Sequence, residues 1–210
     1  MQVTIQSIIP DYFTPASSEV WSKNFEFQPN SKYLVKAVSG SGKSSLFNFI
    51  YGLNNRFSGS ILFNDTSITS FSESDWTTIR TQKIAIVFQG LKLFPELTAL
   101  ENIQLKNILT NHKTEAEILD MMSQLEVDQL AHKKAETLSY GQQQRIAIIR
   151  ALCQPFKLLL LDEPFSHIDE AQITNAIALI NNEVTANQAT LIIASLGDTY
   201  NIDYTKTILL

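Results

Sequence analysis

Ala37-Val38-Ser39-Gly40-Ser41-Gly42-Lys43-Ser44 stands between an extended run, Lys32-Tyr33-Leu34-Val35-Lys36, and a helix expected from Lys43 to about Tyr51. Strand, small-residue loop and helix start, in that order, are the setting of a phosphate-binding loop of the G-x-x-x-x-G-K-[ST] kind. In such a loop, successive main-chain N–H groups and the unpaired amides of the first helical turn converge on an anion. Val38, Ser39, Gly40, Ser41, Gly42 and Ser45 supply that backbone in this reading. Lys43 brings a positive charge to the β- and γ-phosphate oxygens, and the Ser44 hydroxyl is a ligand for Mg²⁺. One position departs from the pattern: Ala37 replaces the first glycine. The loop tolerates alanine there only if φ is negative and the methyl group has room.

A phosphate loop needs a group that positions Mg²⁺ and water, and the chain offers one in Lys157-Leu158-Leu159-Leu160-Leu161-Asp162-Glu163-Pro164. Four consecutive leucines do not alternate, so they predict a central strand covered on both faces. In open α/β sheets ligands collect beyond the carboxyl ends of the strands, which puts Asp162 and Glu163 on the rim that carries Lys43 and Ser44. Asp162 is then expected to accept hydrogen bonds from Ser44 or from Mg²⁺-bound water, while Glu163 polarises the attacking water. Gln89 ends the apolar run Ile84-Ala85-Ile86-Val87-Phe88 and adds a neutral polar group to the same rim. The candidate catalytic residues are therefore Glu163, Lys43 and Gln89, and the candidate metal ligands are Ser44, Gln89 and Asp162.

The remaining sequence reads as alternating apolar strands and amphipathic helices, which argues for a mostly parallel sheet. Strands are expected at 2–9 and 24–28, at Ile61–Phe63, at Thr190–Ala194 and, as an edge, at Thr207–Leu210; Gly52–Ser60 reads as a loop. Helices are expected over 72–82, from about Thr114 to Leu125, after Gly141 and around Ile173–Val184. Leu91–Lys134 is more helical than its surroundings and is the candidate inserted subdomain, extending to about residue 153 within a single 1–210 domain. Tyr12 and Phe13, in the turn-like Pro10–Pro15 stretch, offer an aromatic face for an adenine ring or for ordinary packing. The 210 residues carry a formal charge of −5 and are 44% hydrophobic, which fits a soluble globular protein and gives no support for nucleic-acid binding. The one cysteine, Cys153, has no intrachain partner, which favours a reducing compartment. No signal peptide is read in the opening residues, and no apolar stretch reaches the roughly 18 residues of a membrane span.

Taken together these segments resemble the ATP-binding cassette family of transporter ATPases over nearly the entire chain. The resemblance is carried by Ala37–Ser44, by Ile86-Val87-Phe88-Gln89 as the glutamine loop and by Leu138-Ser139-Tyr140-Gly141-Gln142 as the LSGGQ-type motif. Leu158–Pro164 follows as the Walker B segment, and Ser166-His167-Ile168-Asp169 as the D-loop. It implies an α/β P-loop NTPase fold with a mostly parallel central sheet, an antiparallel β part and an inserted helical subdomain. It further implies ATP and Mg²⁺ as ligands, and a head-to-tail dimer in which Ser139, Gly141 and Gln142 of one copy close on the nucleotide of the other. Integral membrane subunits would complete the complex at the cytoplasmic face of a bacterial inner membrane. The aromatic under adenine falls near Tyr12. Asn48, Gly52-Leu53, Ile79-Arg80 and Leu93–Ile103 most resemble the group serving lipoprotein release, macrolide-type efflux and the cell-division cassette complex. Small-solute importers are the alternative.

Two departures from that family matter. Tyr140 replaces the glycine usual at the third position of the LSGGQ-type motif, and the switch histidine expected after Leu191–Ala194 is missing from Ser195-Leu196-Gly197-Asp198. Losing such a donor removes transition-state stabilisation, so a nucleotide-gated scaffold that binds ATP but hydrolyses it slowly is the competing reading. His167 is read as interface or solvent packing, and His112 and His132 show no metal-site spacing. The end at Leu210 reads as a minimal cassette without an added regulatory domain.

Overall fold

A computed structural model describes residues 1–14, 18–38 and 40–210. The chain begins with β1 (Val3–Pro10) and β2 (Asn24–Phe27), paired antiparallel, then enters a second sheet through β3 (Lys32–Lys36) and turns into α1 (Lys43–Ile50). β4 (Phe57–Phe63) returns to pair with β1, and β5 (Thr66–Ser67) completes an antiparallel sheet of order β2-β1-β4-β5. α2 (Glu73–Gln82) leads to β6 (Ile84–Val87). Three helices, α3 (Ala99–Asn107), α4 (Glu115–Gln124) and α5 (Tyr140–Leu152), precede β7 (Leu158–Asp162). α6 (Glu170–Ala186), β8 (Thr190–Ser195) and β9 (Lys206–Leu209) follow. The second sheet is wholly parallel, in the order β6-β7-β8-β3-β9, with β9 at an edge.

The leucine run explains the layering. Leu158 to Leu161 are all fully buried in β7, between the equally buried β6 and β8. Successive side chains point to opposite faces of a strand. Leu159 and Leu161 join the core formed by α3, α4, α5 and α6. Leu158 and Leu160 join the other core, where Leu46, Phe47 and Ile50 of α1 meet Val3, Ile5, Ile61 and Phe63 of the antiparallel sheet. Cys153, at the C-terminal end of α5, is completely buried in the first of these cores.

Helix starts follow from local chemistry. Ser72, Thr98, Thr114 and Ser139 each close a reciprocal capping box with the residue three positions on, which pairs two main-chain N–H groups that helix formation would strand. Thr98 and Glu101 thereby start α3 in a stretch that periodicity left undivided. The expected loop at Gly52–Ser60 needs correction, because β4 already begins at Phe57. Its polar Ser58-Gly59-Ser60 pairs with β1 across a register shift between Gln6 and Ile9. Gly59 takes φ +89 there, and a Cβ would lie 2.6 Å from the carbonyl oxygens of Gln6 and Ser7. Among the described residues, no helix is long and apolar enough to cross a membrane.

Candidate nucleotide site

β3 delivers the chain to the rim of the parallel sheet, where the Ala37 amide donates to the Ser195 carbonyl at the end of β8. Ala37 is buried and takes no positive φ, so the backbone condition for an alanine at this position is met. Gly40 and Gly42 take φ +82 and +99, and Gly42 is the N-cap of α1. No side chain caps that helix and no acidic residue stands in its first turn. Its first-turn amides are thus left to an anion. A Cβ on Gly42 would lie 2.6 Å from the Phe13 ring and 2.8 Å from that of Trp21. The Trp21 indole donates to the Ser41 carbonyl at 3.0 Å, so an aromatic wall braces the loop from outside. Val38 is 73% exposed, and Ser39 lies outside the described residues.

Lys43 is 6% exposed. Its ammonium donates to the carbonyls of Ala37 at 3.0 Å and Val38 at 3.4 Å, and lies 3.4 Å from Glu163 Oε1. Ser44 Oγ donates to Asp162 Oδ2 at 2.6 Å and stands 3.5 Å from Gln89 Oε1. The other oxygen of Asp162, Oδ1, is buried without a hydrogen-bond partner among the described residues. Burial raises the Asp162 carboxyl above its ordinary range, outweighing the Ser44 hydrogen bond, with the Glu163 charge adding to the rise and Lys43 opposing it. Glu163 sits at φ +49, a region costly for a side chain of this kind. Its main chain is fixed by the Glu163 amide donating to Ala194 at 3.0 Å and by Gln144 Nε2 donating to the Glu163 carbonyl at 3.4 Å.

These groups line a cleft of about 360 Å³ whose walls are Tyr12, Phe13, Gly40, Gly42, Lys43, Ser44, Ser45, Gln89 and Glu163. Tyr12 is 41% exposed at its mouth, with the Arg56 guanidinium 5.4 Å from the ring centre. A second cleft, sharing Ser44 and Gln89 and adding Asp162 and Arg56, adjoins it. Among the described residues, no three His, Cys, Asp or Glu side chains gather to cage a metal ion. A site of one carboxylate, one hydroxyl and one amide oxygen suits Mg²⁺ instead, which keeps its waters and takes remaining ligands from phosphate. The orphaned Asp162 Oδ1 is the acceptor such a hydrated ion requires.

Ser139, Gly141 and Gln142 are not among the residues of this cleft. They form the start of α5, where Gln142 Oε1 accepts from the Ser139 amide and Ser139 Oγ accepts from the Gln142 amide. Leu196, which with Gly197 follows β8 where the family's histidine is expected, is 57% exposed. His167 packs edge-on against Tyr140, ring centres 4.5 Å apart, and its Nδ1 is 2.9 Å from Ser166 Oγ. Trp21 and Gln144 were missed in the sequence. Only Gln143-Gln144-Arg145 directly after the motif pointed toward the latter.

A match to the ABC transporter family covers residues 22–166. The lipoprotein-releasing system ATP-binding protein LolD 1 of Chlorobium chlorochromatii (strain CaD3) is 35% identical over 170 residues, 79% of this chain and 69% of that protein. The uncharacterized ABC transporter ATP-binding protein Rv0986 of Mycobacterium tuberculosis (strain ATCC 25618 / H37Rv) is 37% identical over 148 residues, 69% of this chain but 60% of its own length. Among solved structures, the dimeric structure of MJ0796, a bacterial ABC transporter cassette, superimposes with a TM-score of 0.86 at 25% identity, covering 99% of this chain and 94% of that one. The same cassette in a post-hydrolysis state bound to ADP and Pi gives 0.85 at 26% identity, with the same coverage. Loop, acidic strand end and overall architecture thus agree with the sequence match, and the chain belongs to the ABC transporter family as an ATP-binding cassette.

Proposed function

We propose that the chain binds MgATP in the cleft between Lys43 and Glu163 and hydrolyses it as the ATPase subunit of a membrane ABC transporter-type complex. The observation that carries the reading is the convergence of Ser44, Asp162, Lys43 and Glu163, from two distant segments, on one rim. The α1 amides and the Gly40–Gly42 turn hold the phosphates, and Lys43 leaves its carbonyl partners to neutralise the β/γ oxygens. Ser44, Asp162 and Gln89 would hold Mg²⁺, which supplies charge neutralisation at the phosphates when bound. Glu163 orients and deprotonates the attacking water, and Gln89 fixes that water's other side. Tyr12 stacks on the adenine.

Ser139, Gly141 and Gln142, which do not line their own cleft, serve that of a second copy in a head-to-tail dimer, which the dimeric cassette relative supports. Residues 91–134, extending to about 153, act as a helical subdomain within one domain and pass the cycle to integral membrane subunits at the cytoplasmic face of the inner membrane. The LolD relative favours lipoprotein release or a similar force-transmitting complex over small-solute import. Phosphate release with MgATP, compared between the native chain and Glu163→Gln, tests the enzyme reading; equal rates in the two would sink it. The exposed Leu196, in place of an imidazole, favours a second reading: a nucleotide-gated scaffold with slow turnover. Rapid turnover by the assembled complex would exclude that alternative.

A further inference from the structure

Tyr140 is the first residue of α5, immediately after the capping Ser139. The glycine usual at this position has no reach, whereas tyrosine spans from the helix to two loops. Its hydroxyl donates to the main-chain carbonyl of Gln89 at 2.8 Å, and its ring rests edge-on against His167. Gln144 lies one turn further along the same helix face. Its Nε2 donates to Ser166 Oγ at 3.0 Å, and its Oε1 accepts from the His167 amide at 3.0 Å. Gly141, between them, sits so close to the His167 carbonyl that any side chain would strike it. The start of α5 is thereby pinned to the loop that follows Glu163.

The Gln89 side is held just as firmly. Beyond Gln89 and Gly90, Leu91 and Lys92 both take φ +54. The buried guanidinium of Arg150, near the other end of α5, donates to the carbonyls of Leu91 at 2.5 Å and Lys92 at 2.6 Å. One helix therefore grips this loop at both ends, and Tyr140 is the grip that reaches the residue facing Ser44.

We propose that Tyr140 is a positioning residue that couples Gln89 to the Ser139–Gln142 end of α5 within one chain, so that nucleotide at Gln89 changes how that end is presented to a second copy. The proposal rests on the MgATP reading above. A main-chain carbonyl is the point of attachment, so the coupling follows the path of the loop and not the identity of the Gln89 side chain. The hydroxyl carries it and the ring against His167 supplies its fulcrum.

The test is Tyr140→Phe, which keeps the ring and removes the hydroxyl, with Tyr140→Gly removing both. Amide hydrogen exchange is followed at residues 138–142 in the dilute chain carrying Glu163→Gln, with and without MgATP, beside KM and kcat of the unmutated-Glu163 forms. The expected result is an MgATP-induced change at 138–142 in the parent that Tyr140→Phe loses, while its KM for ATP stays within about twofold and kcat falls about fivefold, the scale of one lost hydrogen bond. Unchanged exchange response in Tyr140→Phe overturns the inference, as does a rise in KM with kcat preserved. A parent chain that shows the exchange response but releases no phosphate overturns the hydrolytic reading alone and supports the coupling. A parent that takes up no MgATP overturns both.

Discussion

Lys43 Nζ lies 3.4 Å from Glu163 Oε1, so the cation of the phosphate loop and the carboxylate beyond β7 neutralise one another across the cleft, with side chains 6% and 13% exposed. In the proposed MgATP reading, a phosphate has to win the ammonium from this partner. Replacing Glu163 by Gln therefore has two separable effects. Turnover falls by about 10²- to 10⁴-fold with loss of the base, and MgATP binds tighter, because a competing charge has gone. Titration calorimetry beside phosphate release reads both. Lys43→Ala should weaken MgATP binding without unfolding the chain.

Asp162 sets the stability of the nucleotide-free chain against pH. Its carboxyl is raised in the folded state because burial penalises the anion. For a raised group the folded state holds the proton more tightly than the unfolded one. The favourable contribution is complete below the unfolded value and is lost as pH rises through the folded one. Above the folded value the anion is a cost. Asp162→Asn should accordingly raise the melting temperature without nucleotide as pH rises, and lose that advantage in acid. The same variant should lose the added stability that Mg²⁺ gives with ATP. Calorimetric melting across pH, with and without MgATP, is the measurement.

Lys113 and Glu183 form a buried ion pair at 2.8 Å between the start of α4 and the core helix α6. Glu183 Oε2 and the neighbouring His112 Nε2 have no hydrogen-bond partner among the described residues. Removing Glu183 leaves Lys113 only the exposed Glu117, 4.0 Å away. Glu183→Ala is expected to cost about 3–5 kcal/mol, whereas Lys113→Met combined with Glu183→Leu should recover most of it. Denaturant titration of the three chains gives the cycle.

Gly141→Ala presses a methyl group onto the His167 carbonyl, a main-chain atom that cannot rotate aside. A destabilisation of about 1–3 kcal/mol is expected. Exchange protection should drop at both 138–142 and 164–168, since the two segments share the contact. Loss at only one of them would mean that they are held independently.

Much of the site was legible because its chemistry is contiguous: Gly42-Lys43-Ser44 and Asp162-Glu163 each announce themselves within a few residues, and the leucine run fixes where the second must lie. The sheet was legible for the same reason, since the interiors of β6, β7 and β8 are apolar runs. What hid was whatever depends on residues far apart in the chain. Arg150 reads as an interruption of a greasy helix, yet it is the clamp on Leu91 and Lys92. Trp21 gives no sign in sequence of its bond to Ser41. The early start of β4 was lost because Ser58-Gly59-Ser60 has loop composition, and only the bulge in β1 opposite makes it a strand. Thr98 and Glu101 did carry a readable helix start, and periodicity alone passed over it.

Cys153 has one more consequence. Its burial pushes the thiol up to about 12, so at neutral pH it holds almost no thiolate and sits beyond the reach of maleimide or disulfide reagents. As the sole cysteine in the sequence, it leaves the folded surface chemically silent. A single cysteine introduced near Ser139 can then carry a fluorophore or spin label without background. The distance between two copies could be followed through a turnover cycle in the otherwise native protein.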